Sequence, residues 1–196
     1  PDPSVIPTSS RCSVETAPQM EAAAAAVAAA GARMMRGGAF KPRTSPYAFQ
    51  GHGRACLNYV FEIAGKHGIR VIAMEVTHEA QVDEIRDALR ETGSPTGVML
   101  QIGTRNTQNF ELLKAVGRQR QFPVLIKRGF GITLDESLNA AEYLASEGNQ
   151  RVIFGLRGMG VAPAGVPTPN TGHHHLIVDA ALPAENAAIP ADANHI

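Results

Sequence analysis

Runs of β-branched and aliphatic residues recur along the chain at Arg11–Glu15, Ala32–Arg36, Arg70–Val76, Gly97–Gly103, Pro123–Arg128 and Arg151–Leu156. Within them IRVIAMEV, GVMLQI and FPVLIK are almost continuously apolar. That is the pattern of parallel strands covered on both faces, not of a sheet with one wet side. Helix-like stretches lie between the runs: Pro18–Ala30, Gly53–Lys66, His78–Thr92, Asn106–Gly117 and Thr133–Ser146. The last has clear boundaries, with Thr133 able to cap, Asp135 and Glu136 in the first turn and Gly148 after the end. Leu138, Ala141 and Leu144 then predict its buried face.

Strand starts ~20–40 residues apart with a helix in each gap are the rhythm of βα repeats, hence an α/β fold. Six such units fit an incomplete TIM (β/α)8-like barrel better than an open sheet. From Val161 to Ile196 the chain turns Pro-rich and loses helical periodicity, and it is shorter than the ~60 residues that two further units at ~30 each would need. The expected organisation is a partial barrel over 1–157 and an irregular or β-rich tail over 158–196. Such a barrel exposes strand edges that closure would hide. The tail, a second copy of the chain in a homo-oligomer, or aggregation would be expected to cover them.

Composition narrows the class. Lys and Arg number 18 against 18 Asp and Glu, so a general nucleic-acid binder, which needs a basic excess, is not expected. The longest apolar run, Ala22–Ala30, falls far short of the ~20 residues of a membrane span, so no membrane partner is expected either. Cys12 and Cys56 are too few for a disulfide framework, which fits a reducing, cytoplasmic location. No cationic-then-apolar leader opens the chain, and a start at Pro1 suggests that an upstream segment is missing.

The chemistry concentrates after the strands. Arg36, Lys41 and Arg43, with the hydroxyls of Thr44 and Ser45, lie in a Gly- and Pro-rich segment following the second run. Arg105 in QIGTRN, Lys127 and Arg128 in LIKRG, and Arg157 in FGLRG repeat the placement. In a βα barrel the loops after the strands form one face, so these cations are expected to converge. Like charges gathered on one face of a neutral chain cost stability unless an anion neutralises them, which favours phosphate or carboxylate binding over a merely solvated surface. Glu75 reads as an orienting partner for a Lys or Arg, and Cys56 as a small buried hydrophobe. His52, His67 and His78 are expected to face solvent, and His173–His175 to form a polar turn before an apolar strand.

The stretches CSVE, RGGAFKPRTSPYAFQG, QIGTRNTQNFELLK and VLIKRG closely resemble type I-beta 3-deoxy-D-arabino-heptulosonate-7-phosphate (DAHP) synthase, over about residues 5–151. The resemblance implies a (β/α)8 barrel that condenses phosphoenolpyruvate with erythrose 4-phosphate, opening the shikimate route to aromatic amino acids. It implies phosphoenolpyruvate binding by Arg36, Lys41, Arg105, Lys127 and Arg157, with Lys41 catalytic. It also implies a sugar-phosphate loop of Lys41, Pro42, Arg43, Thr44 and Ser45. Cys12 matches the position of a ligand for a divalent metal such as Mn2+, which would polarise the aldehyde.

Three departures accompany the match. Ser10-Arg11 precede Cys12 where the family has Gly-Pro. The family's later metal ligands find no counterpart, the histidine position falling on Leu182 if His175–Leu182 is taken as the seventh strand. The tail, with TGHHHLIVD, resembles instead an uncharacterised exported bacterial domain, as if two partial domains were joined. The expectation is therefore a DAHP-synthase-like condensation, impaired by missing ligands. The alternatives are a non-catalytic binder of phosphate esters or a tail-driven metal-binding module.

Overall fold

The structure, a computed structural model, describes residues 13–155 and the short strands at 160–161 and 171–172. The chain divides into two compact units, Pro1–Gly155 and Leu156–Ile196. In the first unit the order is α1 (Ala17–Ala29), β1 (Met34–Arg36), a single 3-10 turn (Gly53–Cys56), α2 (Leu57–Lys66), β2 (Val71–Val76), α3 (Ala80–Glu91), β3 (Gly97–Ile102), α4 (Phe110–Arg118), β4 (Val124–Lys127), α5 (Leu134–Ser146) and β5 (Val152–Gly155). The five strands form one sheet, all neighbours parallel and in chain order. This is the α/β architecture expected of consecutive barrel units. In the second unit β6 (Gly160–Val161) pairs in parallel with β7 (Thr171–Gly172).

Alternation along the strands sorts the residues. Met35, Ile72, Met74, Val76, Val98, Leu100, Ile102, Val124 and Ile126 belong to the apolar core with residues of the helices, among them Val60 and Phe61 of α2, Ile85 of α3, Leu113 of α4 and Leu144 of α5. Their neighbours of opposite parity, including Arg36, Glu75, Gln101 and Lys127, share the other face. That face is largely buried as well, which is why the runs read as continuously apolar.

The helix boundaries follow local chemistry. Four helices stop in the same way: after α1, α2, α3 and α5 the chain takes a left-handed glycine, namely Gly31, Gly68, Gly93 and Gly148. After α1 the Gly31 N–H donates to Ala28 O and the Ala32 N–H to Val27 O, so two orphan carbonyls are satisfied. At the other end of α5, Thr133 Oγ1 accepts from the Glu136 N–H while the Glu136 carboxylate accepts from the Thr133 N–H, a complete capping box.

Three expectations need correction. The first run forms no strand within its described part, Ser13–Glu15. The Val14 N–H does donate to Gly38 O at 3.3 Å. The Glu15 N–H and C=O, however, are taken by the side chains of Gln19 and His52, so no ladder develops. The sheet therefore has five strands. On α5 the buried positions are Ser137, Ala140 and Leu144, with Leu138 43% exposed. A serine is tolerated inward because its hydroxyl donates to Thr133 O at 2.9 Å. Finally, His67 does not face open solvent: it is partly buried, with Nε2 2.7 Å from Glu21 Oε1, tying α2 to α1.

Two outcomes are expected. Thr133→Ala removes the cap and should cost ~1 kcal/mol in urea unfolding, against no measurable loss if the cap is idle. Glu21, bonded to Lys66 and then His67, is held below the usual carboxylate value of 4.5. A depressed folded value stabilises the protein above the unfolded one, and that stability is lost as pH falls through the folded value. Glu21→Gln should therefore lower the melting temperature near neutrality and flatten the acid limb of thermal melts taken from about pH 6 to about pH 2. An unchanged acid limb would contradict this.

Candidate functional site

The loop after β1 begins at Gly37, whose N–H donates to Ala73 O at 3.1 Å and so continues the ladder. It closes on itself through the Lys41 N–H to Gln50 O at 2.9 Å and the Gly53 N–H to Ala39 O at 3.0 Å. The Gln50 amide donates to Ser45 O and Ala48 O, filling the turn. Gly51 is required here. Its φ is +92°, and a Cβ would fall 1.9 Å from Ala39 O. The closed loop sets Lys41 inward at 8% exposure, leaves Pro42 half-buried and presents Thr44 and Ser45 at the surface.

Arg43 is engaged by the loop itself: its Nε donates to Phe49 O at 3.2 Å and its Nη2 to the Ser13 hydroxyl at 3.0 Å. Arg128 likewise donates twice to Ile132 O, at 3.1 and 2.7 Å, closing the β4–α5 connection. Two cations of identical appearance in the sequence thus serve backbone carbonyls.

The other predicted cations lie at the strand ends and in the loops that follow. Arg105, in the β3–α4 loop, reaches the Thr44 hydroxyl in the loop after β1, Nη2 to Oγ1 3.4 Å. Arg36 and Lys127 share a face by parity. Arg36 pairs in register with Ala73 and Ala73 with Met99; Glu75 pairs with Gln101, Gln101 with Leu125 and Lys127 with Gly155. Among the described residues the Arg36 guanidinium makes no hydrogen bond or ion pair, although it is partly withdrawn from solvent. Cys12 and Arg157 lie outside the described residues, as do His173–His175.

A buried polar pair sits among these groups. Gln101, 1% exposed, donates from Nε2 to Glu75 Oε2 at 3.0 Å. Glu75, 9% exposed, is accommodated because Gly103 lacks a side chain: a Cβ there would lie 1.9 Å from Glu75 Oε1. One partner of Glu75 is thus the Gln101 amide. Gln101 Oε1 is buried with no donor among the described residues. Its signal in the sequence was a lone amide closing the apolar GVMLQ run. Cys56 is buried with its thiol donating to Gly53 O, and burial pushes its pKa up to about 11, an inert small hydrophobe as expected.

These strand tips and loops can be set beside known proteins. Residues 8–171 match the DAHP synthetase I family. The chain belongs to that family. DAHP synthetase I membership accords with a phospho-2-dehydro-3-deoxyheptonate aldolase of Thermotoga maritima, 40% identical over 148 residues. Those residues are 76% of this chain but 41% of the relative, so the chain spans about two-fifths of that curated protein. The crystal structure of a Thermotoga maritima DAHP synthase superposes with a TM-score of 0.62 at 37% identity, covering 82% of this chain and 42% of that one. A truncated form of the synthase from the same organism gives 0.60 at 35%, covering 82% and 53%. Residues 152–196 also match a domain of unknown function (DUF4399).

Gly51→Ala should destabilise the protein by about 2 kcal/mol or more in urea unfolding, since both the left-handed backbone and the approach to Ala39 O exclude a side chain. Stability within ~0.5 kcal/mol of the native chain would show that the loop relaxes freely.

Proposed function

We propose that this DAHP synthetase I chain carries the anion-binding half of a site that condenses phosphoenolpyruvate with erythrose 4-phosphate, as the first committed step towards aromatic amino acids. The observation that supports it most is Arg36, a partly withdrawn guanidinium with no partner among the described residues, on the face shared with Lys127 and beside the Lys41 loop. A cation in that position is costly without an anion and is set to receive one.

In this reading Arg36, Lys41, Arg105 and Lys127 hold phosphoenolpyruvate; Arg157, which the family resemblance also implies, lies outside the described residues. The Lys41-Pro42-Arg43-Thr44-Ser45 loop receives the sugar phosphate. Arg43 shapes that loop while Thr44 and Ser45 offer hydroxyl donors. The reaction joins C3 of the enol ester to the aldehyde carbon. Water adds at C2, and inorganic phosphate leaves. The residues of this chain bring two phosphorylated anions together against their repulsion and aim them, which is positioning and electrostatic work. Lys41 is proposed as the catalytic residue, its buried ammonium set at the loop that both substrates touch.

The family position for a divalent metal falls on Cys12, outside the described residues. Among the described residues no three His, Cys, Asp or Glu side chains stand together as a metal site, so the donors described do not fit one and no step is routed through it. A second reading keeps the anion site without turnover, since the cations suffice for binding alone.

Incubating the chain with Mn2+, phosphoenolpyruvate and erythrose 4-phosphate, with phosphate release and heptulosonate measured, separates the two readings. In parallel calorimetry Arg36→Ala should weaken phosphoenolpyruvate binding about tenfold or more, the worth of a charge-assisted hydrogen bond. Product identifies the synthase, and binding without product identifies the binder. No phosphoenolpyruvate uptake by the native chain would remove both.

A further inference from the structure

Phe130, between β4 and α5, is 66% exposed. A ring left largely in water gains little from burial, so packing does not account for its place. The Arg105 guanidinium lies over that ring, Cζ 5.9 Å from the centroid. This is within the ~6 Å over which a ring face attracts a cation. The other end of the guanidinium meets Thr44 at 3.4 Å. Arg105 therefore joins the loops after β1, β3 and β4, and no carboxylate pairs with it among the described residues.

The backbone on both sides of Phe130 is fixed. Arg128 closes the turn around it by its two bonds to Ile132 O. Gly129 lies against the neighbouring loop, where a Cβ would fall 2.2 Å from Thr107 Oγ1. Thr107 is itself buried, with its hydroxyl bonded to Thr104 O. The β3–α4 and β4–α5 loops are thus latched together, with Arg105 and Phe130 on the two sides of the latch.

We infer that Phe130 is a positioning residue that attracts Arg105 through a cation–ring contact and pre-orients its guanidinium for the phosphoryl group of the anionic substrate. The inference rests on the anion-site reading above and assigns a further residue to that site. A guanidinium is planar: a ring can take its face while a phosphate takes its edge, so the two partners do not compete. An arginine already held over a ring loses less rotamer freedom when the anion arrives.

The test uses the full chain with Phe130→Ala, Phe130→Tyr, Arg105→Ala and the double variant Phe130→Ala/Arg105→Ala, titrated with phosphoenolpyruvate. Phe130→Ala should weaken binding about two- to fivefold, the range of an exposed cation–ring contact, and Phe130→Tyr, which keeps the ring, should restore it. The double variant should bind no more weakly than Arg105→Ala alone. Without ligand, the Arg105 Nε–H resonance should carry an upfield ring-current shift that Phe130→Ala abolishes and Phe130→Tyr retains. Native affinity in Phe130→Ala, or an equal loss on adding it to Arg105→Ala, would overturn the role while leaving the anion site standing. A native chain that shows the ring-current shift but takes up no phosphoenolpyruvate would instead overturn the anion site, and this role with it.

Discussion

The structure depends on strict alternation in a sheet of parallel strands held in register. Each step along a strand sends one side chain toward the helices and the next to the opposite face, and register carries that choice from strand to strand. On β2, Ile72, Met74 and Val76 join the apolar core, while Ala73 and Glu75 do not. On β3, Val98, Leu100 and Ile102 match them, leaving Met99 and Gln101 for the other face. A slip by one residue would drive Glu75 and Gln101 into the helix layer and expose the core. The hydrophobic drive that packs the helices is therefore also what keeps Arg36, Glu75, Gln101 and Lys127 on one face of the sheet.

Collecting such groups on a largely buried face is costly, and the local devices around them offset it. Gln101 donates to Glu75, and Gly103 leaves room for that carboxylate. Above the strands the loops are fixed by their own polar groups. Arg43 and Arg128 hold backbone carbonyls, and Gln50 fills the loop after β1. Two of the proposed ligand cations, Arg36 and Arg105, make no hydrogen bond to a backbone carbonyl among the described residues. That difference separates Arg43 and Arg128, which brace the loops, from Arg36 and Arg105, which the proposed site assigns to the anion.

The first unit presents β1 and β5 as the outer strands of its described sheet. Parallel strands normally find both edges covered, because an open edge is a row of unpaired backbone donors and acceptors. The described relatives extend well beyond the span matched here, and this chain covers 42% and 53% of the two solved structures. The matched portion keeps its own layered core: helices α1 to α5 pack on the sheet, with large side chains such as Phe61, Ile85, Leu113 and Leu144 fully buried.

By itself the sequence determined the elements whose signals are local. Helix ends were legible because the backbone there needs a particular residue, as at Thr133 and at the glycine after α5. Strands were legible because burial on both faces demands apolar runs. The family was legible in RGGAFKPRTSPYAFQG and QIGTRN, and the placement of cations after the strands could be read from the chain. Only the tertiary structure decided which of those cations is spent on a carbonyl and which is not, that Ser137 rather than Leu138 turns inward, and that Phe130 lies under Arg105. Such facts turn on partners distant along the chain, such as Ser13 for Arg43 and Thr44 for Arg105, and a linear pattern carries no distance between them.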